Sequence, residues 1–296
     1  MAIFTGSGVA IVTPFGPDGS VDYGALRRLI EFQIAGGSDA IIVCGTTGEA
    51  STLTDEEQIE TIRFAAETVG GRVPVVAGAG SNDTRHGVKL CELSARAGAD
   101  ALLLVTPYYN KTSPRGLIAH YTECAKATDL PIILYNIPGR TGLNVLPETM
   151  LALSEIDGIV AVKEACGNIE QVAALAALCR GRLDIYSGND DQTTALMSLG
   201  GVGVISTVAN IIPGDMHEMC AAFLAGDTRR AAELQLRAVP LIKQVFNEVN
   251  PIPIKAALNM MGLPAGGYRL PLVPPSEENQ AKLRRAMEDY GIKLAV

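Results

Sequence analysis

Short apolar runs alternate along the chain with longer stretches in which apolar positions recur every three or four residues. The runs fall at 8–12, 40–44, 73–77, 101–106, 132–136, 159–163, 183–187 and 203–207. Apolar runs of this length, unbroken by alternating polar residues, mark strands buried on both faces, as in a parallel sheet. A helical pattern follows each run, and side chains suited to starting helices precede several of them. Thr54 with Glu57 forms a capping box, Ser113 stands ahead of Pro114, Leu146 ahead of Pro147-Glu148, and Asn168 with Gln171 makes a second box-like pair. Parallel strands need such crossovers, and eight strand–helix units predict an α/β chain folded as a TIM (β/α)8 barrel. An open, doubly wound sheet is the alternative. Against it, Gly78-Ala79-Gly80 and Gly201-Val202-Gly203 both lack the later glycine of a dinucleotide or Walker loop.

After about residue 210 the strand signal ends. Segments 215–226, 227–248, 252–261 and 276–290 are all helical in pattern, broken by Asn250-Pro251-Ile252-Pro253 and by a proline-rich stretch at 270–275. The division expected is a barrel over 1–225 and a C-terminal helical extension over 226–296, the latter suited to subunit packing rather than chemistry.

Composition narrows the function. The 296 residues, 48% hydrophobic and 19% charged, supply the core of one barrel without further domains. A net charge of -8 with no basic run or basic-aromatic stripe argues against nucleic acid or an anionic membrane as partner. Six cysteines stand singly with no CxxC, as reduced, buried, small hydrophobes do. The N-terminus lacks a secretory pattern and no apolar run approaches a membrane span, so the expected location is the cytoplasm.

Barrel sites form at the carboxyl ends of the strands, which singles out the residues just after each apolar run. The sixth run ends in Lys163, whose side chain is expected to share a face with Ile159 and Ala161. On such an apolar floor desolvation lowers the amine's pKa, as a Schiff-base nucleophile requires; a strand-end lysine that snorkels to solvent fits the same stretch. Tyr135, one strand away, is either a proton-transfer partner or a core tyrosine with a bonded hydroxyl. Gly45-Thr46-Thr47-Gly48-Glu49 is either a neutral anion-binding nest or an ordinary βα turn. Arg140, in the loop Ile137-Pro138-Gly139-Arg140-Thr141-Gly142, is either a carboxylate clamp or a solvated charge. His86, His120 and His217 stand apart from any HExxH or Cys/His cluster, so no metal and no cofactor is expected.

Taken together, Gly45-Thr46-Thr47-Gly48-Glu49, Pro107-Tyr108-Tyr109-Asn110-Lys111, Tyr135 through Gly142 and Val162-Lys163-Glu164 resemble the 4-hydroxy-tetrahydrodipicolinate synthase (dihydrodipicolinate synthase) family, from about Gly6 to the C-terminal helices. The resemblance implies a lyase acting by a class I aldolase mechanism in lysine biosynthesis. Lys163 would condense with pyruvate, and the resulting enamine would attack L-aspartate 4-semialdehyde. It further implies Tyr135 as acid/base, with Thr46 and Tyr109 completing a hydroxyl relay, and Thr47 on the pyruvate carboxylate. Carbonyls near Gly188 and Ile205 would line the pocket, and Arg140 would receive the semialdehyde carboxylate. In this family the tyrosine at position 109 serves a neighbouring subunit, and the implied assembly is a homotetramer built as a dimer of dimers. One departure stands out. Feedback-inhibited members bind lysine through histidines and an acid at positions held here by Asp55, Gln58 and His86, although Asn82 and Tyr108 match; weak or absent inhibition by lysine is implied.

Two other readings share features with this one. An N-acetylneuraminate lyase or keto-sugar-acid aldolase of the same superfamily would carry the same lysine and tyrosine, but usually has serine in place of Thr46 and lacks the arginine. A barrel retained only for binding or regulation would not require Thr46, Tyr109, Tyr135 and Lys163 together.

Overall fold

In the computed structural model of the chain, residues 2–295 are described. Among them, eight parallel strands close into a barrel in chain order: β1 (Gly6–Ala10), β2 (Ala40–Val43), β3 (Val75–Gly78), β4 (Ala101–Val105), β5 (Ile132–Asn136), β6 (Ile159–Glu164), β7 (Asp184–Ser187) and β8 (Gly203–Ser206), with β8 returning to pair with β1. The expected TIM barrel is therefore the observed one. Around it run α1 (Tyr23–Ala35), α2 (Asp55–Val69), α3 (Thr84–Arg96), α4 (Pro114–Lys126), the single turn α5 (Pro138–Thr141), α6 (Pro147–Leu153), α7 (Ile169–Leu178), α8 (Thr193–Met197) and α9 (Pro213–Leu224). Then α10 (Thr228–Val245) packs along α9 and α12 (Glu277–Tyr290), and α11 (Ile252–Met260) lies against both α10 and α12.

Alternation along the strands sorts apolar side chains into two layers. Ala40 and Ile42, Ile133 and Tyr135, and Ala161 with Tyr186 and Ile205 fill the barrel interior. Ile41, Val43, Ile132, Leu134 and Val162 face the helices in the larger outer core. Strand ends differ from the apolar runs by one or two residues, because apolar continuity reports burial rather than pairing. Ile11 and Val12 are buried beyond β1, where the Val12 amide donates to Asn210 Oδ1 at 3.3 Å instead of to a strand.

Two local expectations are corrected. The pairing of β5 with β6 slips between Ile132 and Ile133, so that Ile132 faces Ile159 but Ile133 faces Ala161. This irregularity takes Ile159 into the outer core and Val160 against the inner one, leaving Ala161 as Lys163's partner on the inward face. At α7, Asn168 does cap the helix, accepting from the Glu170 and Gln171 amides, but the Gln171 side chain turns to Asn144 and the Val145 carbonyl and closes no box. The Thr54–Glu57 box is complete.

At the amino end of the strands the interior is plugged by Phe4 stacked on Tyr186, ring centroids 4.5 Å apart. The Tyr186 hydroxyl accepts from the Phe4 amide at 3.3 Å and donates to the Phe4 carbonyl at 2.6 Å. Tyr186→Phe leaves both buried backbone groups without a partner and is expected to lower unfolding stability by about 1–3 kcal/mol, read from the denaturant midpoint.

Candidate active site

Register places Tyr135 opposite Lys163 and Asn136 opposite Glu164 at the carboxyl ends of β5 and β6. Lys163 and Tyr135 point into the barrel. The amine Nζ lies 4.3 Å from the centroid of the Tyr135 ring and, among the described residues, has no hydrogen-bond partner and no ion pair. Burial lowers its pKa from the ordinary lysine value to about 8; the Asp190 carboxylate pulls it back up, and the Arg140 guanidinium pushes it further down. Burial also pushes the Tyr135 phenol up to about 12, although Arg140 and the nearby Thr46 hydroxyl oppose that rise, so the phenol remains a proton donor at neutral pH.

The adjacent Glu164 faces the other way. Asn136 Nδ2 donates to both its oxygens, at 3.1 and 3.0 Å, and the Cys166 amide donates at 2.8 Å. This clamp ties β5 to β6 on the outer side of the wall, level with the Tyr135–Lys163 pair. Gly188 is required where it stands: a Cβ there would lie 3.1 Å from Lys163 Cε and 2.7 Å from the Ala165 Cβ.

Above the amine lies a cavity of about 70 Å³, lined among others by Thr46, Thr47, Tyr135, Arg140, Lys163 and Gly188. One water needs about 10–15 Å³ of such space, so the cavity takes a molecule of several non-hydrogen atoms. On one side is the turn after β2. The Glu49 amide closes it onto the Thr46 carbonyl at 3.1 Å, while the amides of Thr46 and Thr47 have no acceptor among the described residues. Thr47 Oγ1 accepts from Asn250 Nδ2 at 2.9 Å, which leaves its proton to donate, to Thr207 Oγ1 at 3.4 Å or to a ligand. Exposed Arg140 stands at the rim with one N–H, on Nη2, donating to the Asn250 carbonyl at 3.0 Å. Two neutral amides and a hydroxyl facing an amine suit a small keto acid: the carboxylate takes the donors while the ketone reaches Lys163.

Six of the eight site residues expected from sequence therefore meet around one cavity. Ile205 is packed in the interior layer beneath it, and Tyr109 is outside it, 90% exposed with φ +67°. Missed altogether were Asn250 and Phe246, which bring the C-terminal extension against the cavity although that segment was read as packing. A polar residue in the Asn-Pro break between two amphipathic helices was the available signal. Asp190 and Thr207 stood at the ends of β7 and β8 without an assigned role. Asp190 Oδ2 accepts from the Thr207 and Val208 amides at 3.1 and 2.9 Å, fixing Thr207 against the cavity.

A closed parallel barrel that holds a desolvated lysine against a buried tyrosine at the carboxyl ends of its strands is a lyase of the Schiff-base, class I aldolase type. Residues 3–290 match the Dihydrodipicolinate synthetase family, and the chain belongs to it. It is 55% identical over 293 residues to the 4-hydroxy-tetrahydrodipicolinate synthase of Thermoanaerobacter sp. (strain X514), covering 99% of this chain and 98% of that one. Its fold is similar to the crystal structure of dihydrodipicolinate synthase from Aquifex aeolicus (TM-score 0.96, 44% identity, 99% of this chain and 100% of that one). It is equally similar to the chloride-inhibited enzyme from Acinetobacter baumannii complexed with pyruvate (TM-score 0.96, 45% identity, 98% and 99%).

At pH 7 a pKa of about 8 leaves about one Lys163 amine in ten neutral, about 300-fold more than for an ordinary lysine. Keto-acid capture, trapped with borohydride, is expected to rise with pH and level off above a midpoint near 8. Arg140→Leu removes a cation that disfavours the ammonium, so the midpoint is expected to move up.

Proposed function

We propose that Lys163 is the Schiff-base lysine and that the chain condenses pyruvate with L-aspartate 4-semialdehyde to 4-hydroxy-tetrahydrodipicolinate, in the diaminopimelate route to lysine. The observation that carries this reading is the Lys163 amine, buried, without a hydrogen bond among the described residues and set over Tyr135 in a cavity of keto-acid size. Nζ attacks the ketone carbon of pyruvate and water leaves, giving the Schiff base; loss of a methyl proton gives the enamine. The enamine carbon attacks the aldehyde, and the amino group of the semialdehyde then attacks the former ketone carbon, closing the ring and freeing Lys163.

Each stage moves a proton, and hydroxyls move protons without burying further charge. Tyr135, protonated at rest, supplies the first one; Thr46, at its side, relays. Thr47 and its amides hold the pyruvate carboxylate, the backbone near Gly188 and Ile205 completes the pocket, and Arg140 receives the second carboxylate at the rim. Tyr109 completes the relay from a neighbouring copy in a homotetramer; its exposure and its φ of +67° suit a side chain built to be used elsewhere. The working unit is the barrel of 1–225 with the extension of 226–296, in the cytoplasm, where free thiols such as Cys44 and Cys220 persist.

Incubation with pyruvate and borohydride is expected to add one pyruvate-derived group at Lys163, found by peptide mass, and none in Lys163→Arg. Tyr135→Phe is expected to lower kcat by about 10²–10⁴-fold in the coupled assay with aspartate semialdehyde while still forming the trapped adduct. Beyond the cavity the mouth opens into a recess of about 460 Å³ lined also by Asp55, Gln58, His86 and Tyr108. There the Asp55 carboxylate is already engaged by His86 Nε2 at 2.9 Å and Lys89 Nζ at 2.7 Å. Lysine at about 1 mM is expected to leave the initial rate nearly unchanged; an inhibition constant in the micromolar range, a binding free energy of about -8 kcal/mol, contradicts this.

A further inference from the structure

The turn that carries Thr46 and Thr47 is fastened by groups that do not line the cavity. Glu49, its last residue, sits at φ +55°, a left-handed conformation uncommon for a residue with a Cβ. Its carboxylate accepts from Lys255 Nζ of α11 at 2.6 Å, and both side chains are 0% exposed. Lys255 Nζ also donates to the Thr13 carbonyl at 3.0 Å and lies 4.4 Å from the centroid of the Phe15 ring. Thr13 Oγ1 in turn donates to the Gly48 carbonyl at 2.6 Å. One ammonium thus ties three separate stretches: the loop after β1, the turn after β2 and the first helix beyond the Asn250 break.

Stability alone is a poor reason for such a pair. Two charges taken fully out of water lose hydration that their mutual attraction only partly returns, and apolar replacements of both partners are often as stable. What an apolar pair lacks is direction. An ammonium bonded to a carboxylate oxygen and a carbonyl at once fixes the rotation of the Glu49 backbone, and with it where the Thr46 and Thr47 amides point. The charges also cancel, so the turn stays neutral. We propose that Lys255 and Glu49 form a positioning pair for the keto-acid carboxylate: they hold the turn in the shape that aims its amides and the Thr47 hydroxyl into the cavity. This rests on the reading of that turn as the carboxylate cradle.

The test uses the full-length enzyme with Glu49→Gln, Lys255→Met, and both together, the last leaving no buried charge without its partner. In the double variant the melting temperature is expected to stay near the parent's while half-saturation by pyruvate, in turnover and in borohydride trapping, rises about 10-fold or more. The KM for aspartate semialdehyde and kcat at saturating pyruvate change by less than about 3-fold. A merely structural pair would not split the two substrates in this way. Unchanged pyruvate half-saturation in the folded double variant, or an equal loss for both substrates, overturns the proposal. Should the double variant fail to fold, Glu49→Asp, charged but one methylene shorter, decides: half-saturation is expected to rise about 3-fold or more, and a parental value overturns the proposal. Thr47→Val separates the two readings. If it too leaves pyruvate binding unchanged, the cradle itself is wrong; if it weakens binding and the double variant does not, only the positioning role falls.

Discussion

Easing a buried amine toward its neutral form at the carboxyl end of a packed barrel is the constraint that orders the surrounding residues. The fall of the Lys163 pKa to about 8 corresponds to about 3 kcal/mol against the ammonium. A carboxylate in contact would undo that, since a close opposite charge restores the charged form. The nearest carboxylate in sequence, Glu164, is removed by strand alternation alone: it lies on the outer face of the wall, held by Asn136 and the Cys166 amide. Asp190 does act on the amine, but its Oδ2 is occupied by the Thr207 and Val208 amides and its pull does not outweigh burial. In place of a counter-ion stands the face of Tyr135, 4.3 Å away, which attracts a cation weakly enough to leave it able to lose its proton.

Much of this was legible in the chain because parallel barrels impose a simple code. Strands buried on both faces give unbroken apolar runs, and chemistry gathers where those runs end. Lys163, Tyr135, Thr46, Thr47 and Arg140 could be placed that way, Gly188 was named through the family resemblance, and all six line the same cavity. Ile205, named through the family resemblance for a carbonyl near it, has its side chain in the interior layer below.

What was not legible has physical causes. The slip at Ile132–Ile133 reverses the faces of Ile159 and Val160, but Ile, Val and Ala are alike in hydropathy and such a slip leaves no trace in the pattern. Asn250 was missed because its partner Thr47 lies 203 residues earlier, and long-range hydrogen bonds have no period to detect. Strand ends were misjudged where burial outlasts pairing, as at Val12.

Asn250 also shows how the extension and the barrel divide the work. Its side chain donates to Thr47 on one side of the cavity, and its carbonyl accepts from Arg140 on the other. One residue of the extension therefore touches both groups proposed to receive carboxylates. The Arg140 bond uses one of five guanidinium N–H donors, so the fork keeps donors for a ligand while losing the freedom to swing away. Thr47, receiving rather than giving in its bond to Asn250, keeps its proton for the cavity. Had the amide been reversed, with Oδ1 facing Thr47, the hydroxyl would donate to Asn250 and its lone pairs would meet the incoming carboxylate, turning an attraction into a repulsion. The strands can place an amine and a phenol side by side, but the spacing between Thr47 and Arg140, the two proposed carboxylate sites, is set by a segment that meets the barrel only after the last strand is complete.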